Sequence, residues 1–154
     1  MKKILILTLL AAVLLVGCGQ ADKSNQEAKY VNITAEEAKQ IMDDTEGYLI
    51  LDVRAQEEYD EGHIPGAIVI PHTEVEARAE AELPDKEQVI LVYCRSGRRS
   101  KLAAQALADL GYTNVKEFGG IIDWPYEVEY ILLNSCYLVL DGAGKDHRVS
   151  RFNG

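Results

Sequence analysis

The chain has 154 residues, 47% of them hydrophobic and 27% charged, which suits one globular domain with a sizeable core and excludes a disordered or fibrous chain. Its formal charge of -9 would repel nucleic-acid phosphates over most of the surface, which excludes a general nucleic-acid binder. Three of the sixteen basic side chains nevertheless fall inside seven residues, Cys94-Arg95-Ser96-Gly97-Arg98-Arg99-Ser100, and a small anion fits that local field.

In chain order, Met1-Lys2-Lys3 precedes Ile4 to Val16, thirteen residues in which Thr8 alone is polar, and Leu15-Val16-Gly17-Cys18 closes the run. Thirteen is short for a membrane-spanning helix and suits the apolar core of a signal peptide. The segment resembles the bacterial lipoprotein signal. That resemblance implies cleavage before Cys18, an acyl lipid of the palmitate kind on Cys18, and a position on the extracytoplasmic face of a bacterial membrane. An ordinary secretory signal or an uncut anchor is the alternative. Loss of residues 1–17 removes Lys2 and Lys3 and no acid, which deepens the charge to -11. Residues 18–29 are polar and without apolar period, and they read as a flexible tether.

The folded pattern is expected over residues 30–126, with 127–154 as an extension of undefined role. Tyr30 to Ile33 reads as a short strand, and Thr34-x-x-Glu37 as a capping box launching a helix with Ala35, Ala38, Ile41 and Met42 on one face. Tyr48 to Leu51 is a buried-strand run that closes in Asp52-Val53-Arg54. A helical turn through Glu57, Glu58 and Tyr59 follows, then a Gly62 to Gly66 loop, a strand at Ala67 to Ile70 and a helix at Glu74 to Ala81. Val89 to Tyr93 is the next strand. A helix is expected to begin near Ser100, with apolar Leu102, Ala103, Ala106, Leu107 and Leu110 and a stop at Gly111. Beyond Trp124-Pro125, the apolar run from Ile131 to Leu140 reads as one more strand or a buried segment. Strands alternating with helices predict an α/β fold, a central parallel sheet with helices on both faces. Sites in such sheets lie beyond the carboxyl ends of the strands, where Cys94 falls.

A thiol between a buried strand and a helix N-terminus is suited to ionisation. Backbone N–H groups from Cys94 to Ser100 can curl onto one point, Gly97 supplying the freedom to do so, and the helix dipole adds to them. Each arginine about 6–10 Å away is expected to add on the order of 2 kcal/mol at an effective dielectric near 20, before screening. A free thiol near pKa ~8.5 is only a few per cent ionised at neutral pH, so two such contributions make thiolate the major form. The competing reading of Cys94, a small buried hydrophobe, fits three flanking arginines poorly.

The chain resembles the rhodanese family of sulfurtransferases in three blocks. They are Leu51-Asp52-Val53-Arg54-x-x-Glu57-Glu58-Tyr59-x-x-Gly62-His63-Ile64-Pro65-Gly66-Ala67, then Tyr93 to Ser100, then Gly119-Gly120-Ile121-x-x-Trp124. The resemblance implies a rhodanese-like fold in which Cys94 is the catalytic nucleophile. It takes a sulfane sulfur as a persulfide and passes it to a thiol, a cyanide-like acceptor or a protein. By the same resemblance Arg95, Ser96, Gly97, Arg98, Arg99 and Ser100 form the substrate-binding loop, and Asp52 and Arg54 are a charge-paired scaffold. Thiosulfate or a similar small anion is the donor implied, with no metal or organic cofactor required.

His63 sits in the motif turn and reads as structural; His72 and His147 read as surface residues without metal-ligand neighbours. Asp123 and Trp124 read as capping and packing a short last helix. Three alternatives remain. A cysteine phosphatase or arsenate reductase would need its arginine at the sixth position after the cysteine, where this chain has Ser100, with Arg99 one place early. A persulfide carrier or partner-binding module would share the fold. A thiol redox protein would use Cys136 to resolve an oxidised Cys94.

Overall fold

The computed structural model describes residues 30–132 and 136–140. The expected signal at 1–17, the tether at 18–29 with its Cys18, the side chain of Cys136, and His147 lie outside the described residues.

Strand β1 (Val31–Asn32) leads into helix α1 (Ala35–Asp44). The capping box forms: Glu37 N–H donates to Thr34 Oγ1 at 3.1 Å and Thr34 N–H to Glu37 Oε2 at 2.8 Å, satisfying two helix-end amides that would otherwise lack partners. There follow β2 (Leu49–Asp52), α2 (Gln56–Asp60), β3 (Ile68–Val69), α3 (Val75–Glu82) and β4 (Ile90–Cys94). Helix α4 (Arg98–Asp109), β5 (Val115–Gly120) and a 3-10 turn (Ile121–Asp123) complete the sheet unit. A hairpin of β6 (Val128–Leu132) and β7 (Cys136–Leu140) comes last.

The five strands form one parallel sheet in the order β1-β5-β4-β2-β3. Alternation along each strand splits the core in two. Leu51, Ile90, Val92 and Val115 face α3 and α4 through Val75, Ala79, Ala103 and Leu107. Ile50, Leu91, Tyr93 and Phe118 face the other way, toward Ala38 of α1, Ile64 and Trp124. Full burial of an aliphatic side chain stabilises by about 1.5–3 kcal/mol, and both faces are covered, as a parallel sheet requires. This is the α/β architecture expected from the sequence.

Three elements differ from expectation. Helix α4 begins at Arg98 rather than near Ser100, because Gly97 takes φ +91° and turns the chain directly into the helix. Apolar periodicity could not mark that start, since no apolar residue precedes Leu102. Strand β5 had no expectation at all; its Lys116 and Glu117 interrupt an apolar pattern. The closing run is two antiparallel strands with Leu132 opposite Cys136, not one strand. The hairpin joins the domain through reciprocal bonds, His63 N–H to Glu129 O at 2.8 Å and Glu129 N–H to His63 O at 2.7 Å.

Candidate active site

Cys94 is the last residue of β4, two positions beyond Val92 and therefore on the α4 face of the sheet. It is 1% exposed. Only Arg95, Ser96 and Gly97 separate strand from helix, so Arg98, Arg99 and Ser100 occupy the first helical turn rather than a loop. Gly97 N–H donates to Cys94 Sγ at 3.2 Å, and Ser100 Oγ lies 3.5 Å from it.

The turn is held by a second backbone. Between Val92 and Cys94 the register of β4 on β5 slips, so that Cys94 pairs with Gly120. A β-carbon on Gly120 would overlap the Arg95 carbonyl and stand 2.5 Å from Ser96 Cα. Glycine at 120 is what lets the two chains touch. Ile122 N–H then reaches Arg95 O at 3.3 Å.

Burial works against ionisation of the thiol, but hydrogen bonding from Ser100, Ser96 and Gly97 outweighs it. The pKa of Cys94 is lowered. The sulfur is therefore met chiefly by main-chain amides, where the sequence pointed to guanidinium groups as well. Arg95 and Arg98 are exposed and have no ion-pair partner among the described residues. Arg99 is engaged: its Nη1 and Nη2 donate to Glu58 Oε2 and Oε1 at 2.6 and 2.8 Å. That fork, the Arg99 guanidinium first among its causes, holds the Glu58 carboxyl down at about 2. Arg99 stays near enough to Cys94 for the thiolate to help raise its own pKa, after the larger contribution of Glu58.

Asp52 and Arg54 form a buried pair, 0% and 6% exposed. Arg54 Nε lies 2.9 Å from Asp52 Oδ2 and Arg54 Nη2 2.6 Å from the same oxygen, while Nη2 also donates to Gly62 O at 2.7 Å. The pair thus ties the end of β2 to the Gly62 turn and touches no part of the sulfur's own shell. His63 is buried, stacked on Tyr59 with ring centroids 3.7 Å apart, and its Nδ1 donates to Tyr59 O at 2.9 Å. His72 is half-buried, its N–H donating to Val53 O at 3.0 Å. Trp124 packs on Phe118 and donates from Nε1 to Glu127 O at 3.1 Å. Among the described residues no group of His, Cys, Asp and Glu could hold a metal ion.

A cleft of about 420 Å³ adjoins the turn, lined by Arg54, Glu58, Arg95, Ile122, Val128 and Tyr130 among others. The last two come from the hairpin, so the closing segment walls the space beside Arg95. Two acidic side chains escaped sequence reasoning. Glu58 showed as a helix former within the first motif block, and no local pattern tied it to Arg99. Glu117 is 2% exposed and accepts from Ser100 Oγ at 2.6 Å and Gly119 N–H at 2.9 Å. Its one available signal was the two-residue step from Val115, which puts both on the α4 face.

A cysteine at the carboxyl end of a parallel strand, with its sulfur inside a helix-start amide turn, is an arrangement suited to chemistry on sulfur. The rhodanese-like domain model matches residues 34–125, and the chain belongs to that family, as a single rhodanese-like unit among sulfurtransferases and sulfur carriers. It is similar to the thiosulfate sulfurtransferase PspE of Escherichia coli (strain K12), 44% identical over 73 residues that cover 47% of this chain and 70% of that protein. The putative sulfur carrier protein YrkF of Bacillus subtilis (strain 168) is 38% identical over 112 residues, 72% of this chain and 60% of that protein. Among solved structures, the Alr3790 protein from Anabaena sp. superposes with a TM-score of 0.61 at 29% identity, covering 66% of this chain and 94% of that chain.

Proposed function

We propose that the chain is a membrane-tethered sulfurtransferase that moves a sulfane sulfur from thiosulfate or a similar donor, through a persulfide on Cys94, to a thiophilic acceptor. The Cys94 thiolate attacks the outer sulfur of the donor. A new S–S bond forms, the donor's S–S bond breaks, and its electron pair leaves with sulfite. The persulfide's terminal sulfur carries the negative charge. An acceptor nucleophile such as cyanide or a thiol then attacks that sulfur, and the pair of the cleaved S–S bond returns to Cys94 as thiolate. Arg95 and Arg98, exposed at the rim, suit the approach of a doubly charged donor, and the amides of the turn suit the charge left on sulfur. The lipid expected on Cys18 supplies the tether.

The observation that carries this reading is the convergence of the Gly97 N–H and the Ser100 side chain on a buried Cys94 Sγ, at 3.2 and 3.5 Å. Purified residues 19–154 are expected to convert cyanide to thiocyanate with thiosulfate as donor. Cys94→Ser is expected to lower the rate by at least ~100-fold, the nucleophile being lost. A serine variant as active as the parent overturns the assignment.

The second reading, a carrier that hands its persulfide to a partner protein, is favoured by the near-complete burial of Cys94 and by the hairpin wall on the adjoining cleft. Mass analysis after thiosulfate treatment separates the two. One added sulfur on Cys94 with no thiocyanate formed marks the carrier.

A further inference from the structure

Behind the sulfur lies a carboxylate that the transfer chemistry above does not use. Glu117 is 2% exposed within β5, and no lysine, arginine or histidine forms an ion pair with it among the described residues. A buried charge without a cation is costly unless hydrogen bonds compensate it. Oε1 accepts two, from the Gly119 N–H at 2.9 Å and from the Ser100 hydroxyl at 2.6 Å. The titratable groups around this pair are few. Tyr30 is pushed up by burial and then by Glu117, and Arg99 is paired with Glu58 and coupled to Cys94.

The Ser100 hydroxyl has one proton and four acceptors. Glu117 Oε1 is at 2.6 Å, Gly97 O at 3.0 Å, Gly119 O at 3.4 Å and Cys94 Sγ at 3.5 Å. A charged oxygen at the shortest distance outcompetes a sulfur at the longest. We infer that Glu117 is a positioning residue for Cys94: it captures the Ser100 hydroxyl proton and withholds it from Sγ, leaving the sulfur to the main-chain amides. The benefit lies in reactivity. A thiolate gripped by one more donor ionises more readily but attacks more slowly, because nucleophilicity falls with basicity. Glu117 sets that balance without touching substrate.

The inference rests on Cys94 as the reacting sulfur, and alkylation reads that sulfur whether or not transfer occurs. The experiment measures the pH dependence of iodoacetamide alkylation of Cys94 in the full chain. Glu117→Gln keeps the shape, removes the charge and frees the proton. Its midpoint is expected to fall by about half a pH unit or more, roughly threefold in thiolate fraction, with a slower rate once the thiol is fully ionised. Ser100→Ala is expected to leave the midpoint within about 0.2 pH unit, since the hydroxyl proton was not on sulfur. In the Ser100→Ala background, Glu117→Gln is expected to lose at least half its effect. The inference is overturned by an unmoved or raised midpoint in Glu117→Gln, by a rise of about half a pH unit in Ser100→Ala, or by an undiminished shift in the double variant. Should Glu117→Gln not fold, the Ser100→Ala profile decides alone. These shifts without any thiocyanate formation would overturn the transfer reading and leave this inference standing.

Discussion

At Cys94 two sets of positive groups compete for one role, the main-chain N–H groups of the turn and guanidinium groups, of which that of Arg99 is coupled to the thiol. Contact decides, because an exposed guanidinium is screened by water whereas an amide in the turn is not. Arg98 is exposed, so Arg98→Ala is expected to leave the alkylation midpoint of Cys94 within about 0.2 pH unit. Arg99 is partly buried and near the sulfur, so Arg99→Ala is expected to raise the midpoint by about half a pH unit. The same alkylation series measures both, and equal shifts in the two would contradict the division between amides and guanidinium groups. At this scale the position of Cys94 at the strand-to-helix turn was legible, because it stands where an apolar run meets three basic residues. Glu117 was not legible. Its role depends on a side chain from α4, seventeen residues away in sequence, and on a buried position that a charged residue does not advertise.

The sulfur's surroundings come from the meeting of β4, α4 and β5 rather than from the Cys94 segment alone. Gly97 starts α4 with φ +91°, which aims the amides inward, and Gly120 lets β5 lie against the Arg95-Ser96 backbone. Gly120→Ala forces those backbones apart. Overpacking of this kind costs about 1–3 kcal/mol, seen as a lower thermal unfolding midpoint. The Arg95 to Gly97 turn moves with it, so sulfur transfer is expected to fall by about tenfold or more. An alanine variant with parent activity and stability would show that the two chains do not need their contact. Helix α1, β2 and β4 were readable because each carries a capping or apolar signal of its own. Strand β5 was not, because its inward positions include Glu117 and its end is a glycine pair. Its strand character comes from pairing with β1 and β4, not from propensity.

Across the whole molecule, the Asp52 and Arg54 pair fixes the Gly62 turn, and His63 in that turn carries the β6–β7 hairpin through its bonds to Glu129. The hairpin in turn lends Val128 and Tyr130 to the cleft that Arg54, Glu58 and Arg95 line. The tether proposed for Cys18 belongs to this scale. Expressed in a bacterial host, the full chain is expected in the membrane fraction, and Cys18→Ser is expected to move most of it to the soluble fraction, since it removes the proposed acylation site. Equal fractionation of the two would remove the lipid from the account. The alternation of strand and helix, the family and the place of Cys94 at a strand end were all readable along the chain, because apolar period and clustered motif residues are local. Which groups meet its sulfur came from the packed fold. Hydrogen-bond partners such as Glu117 with Ser100 and Glu58 with Arg99 lie 17 and 41 residues apart, and their pairing is set by sheet order and helix packing, which no short stretch of sequence encodes.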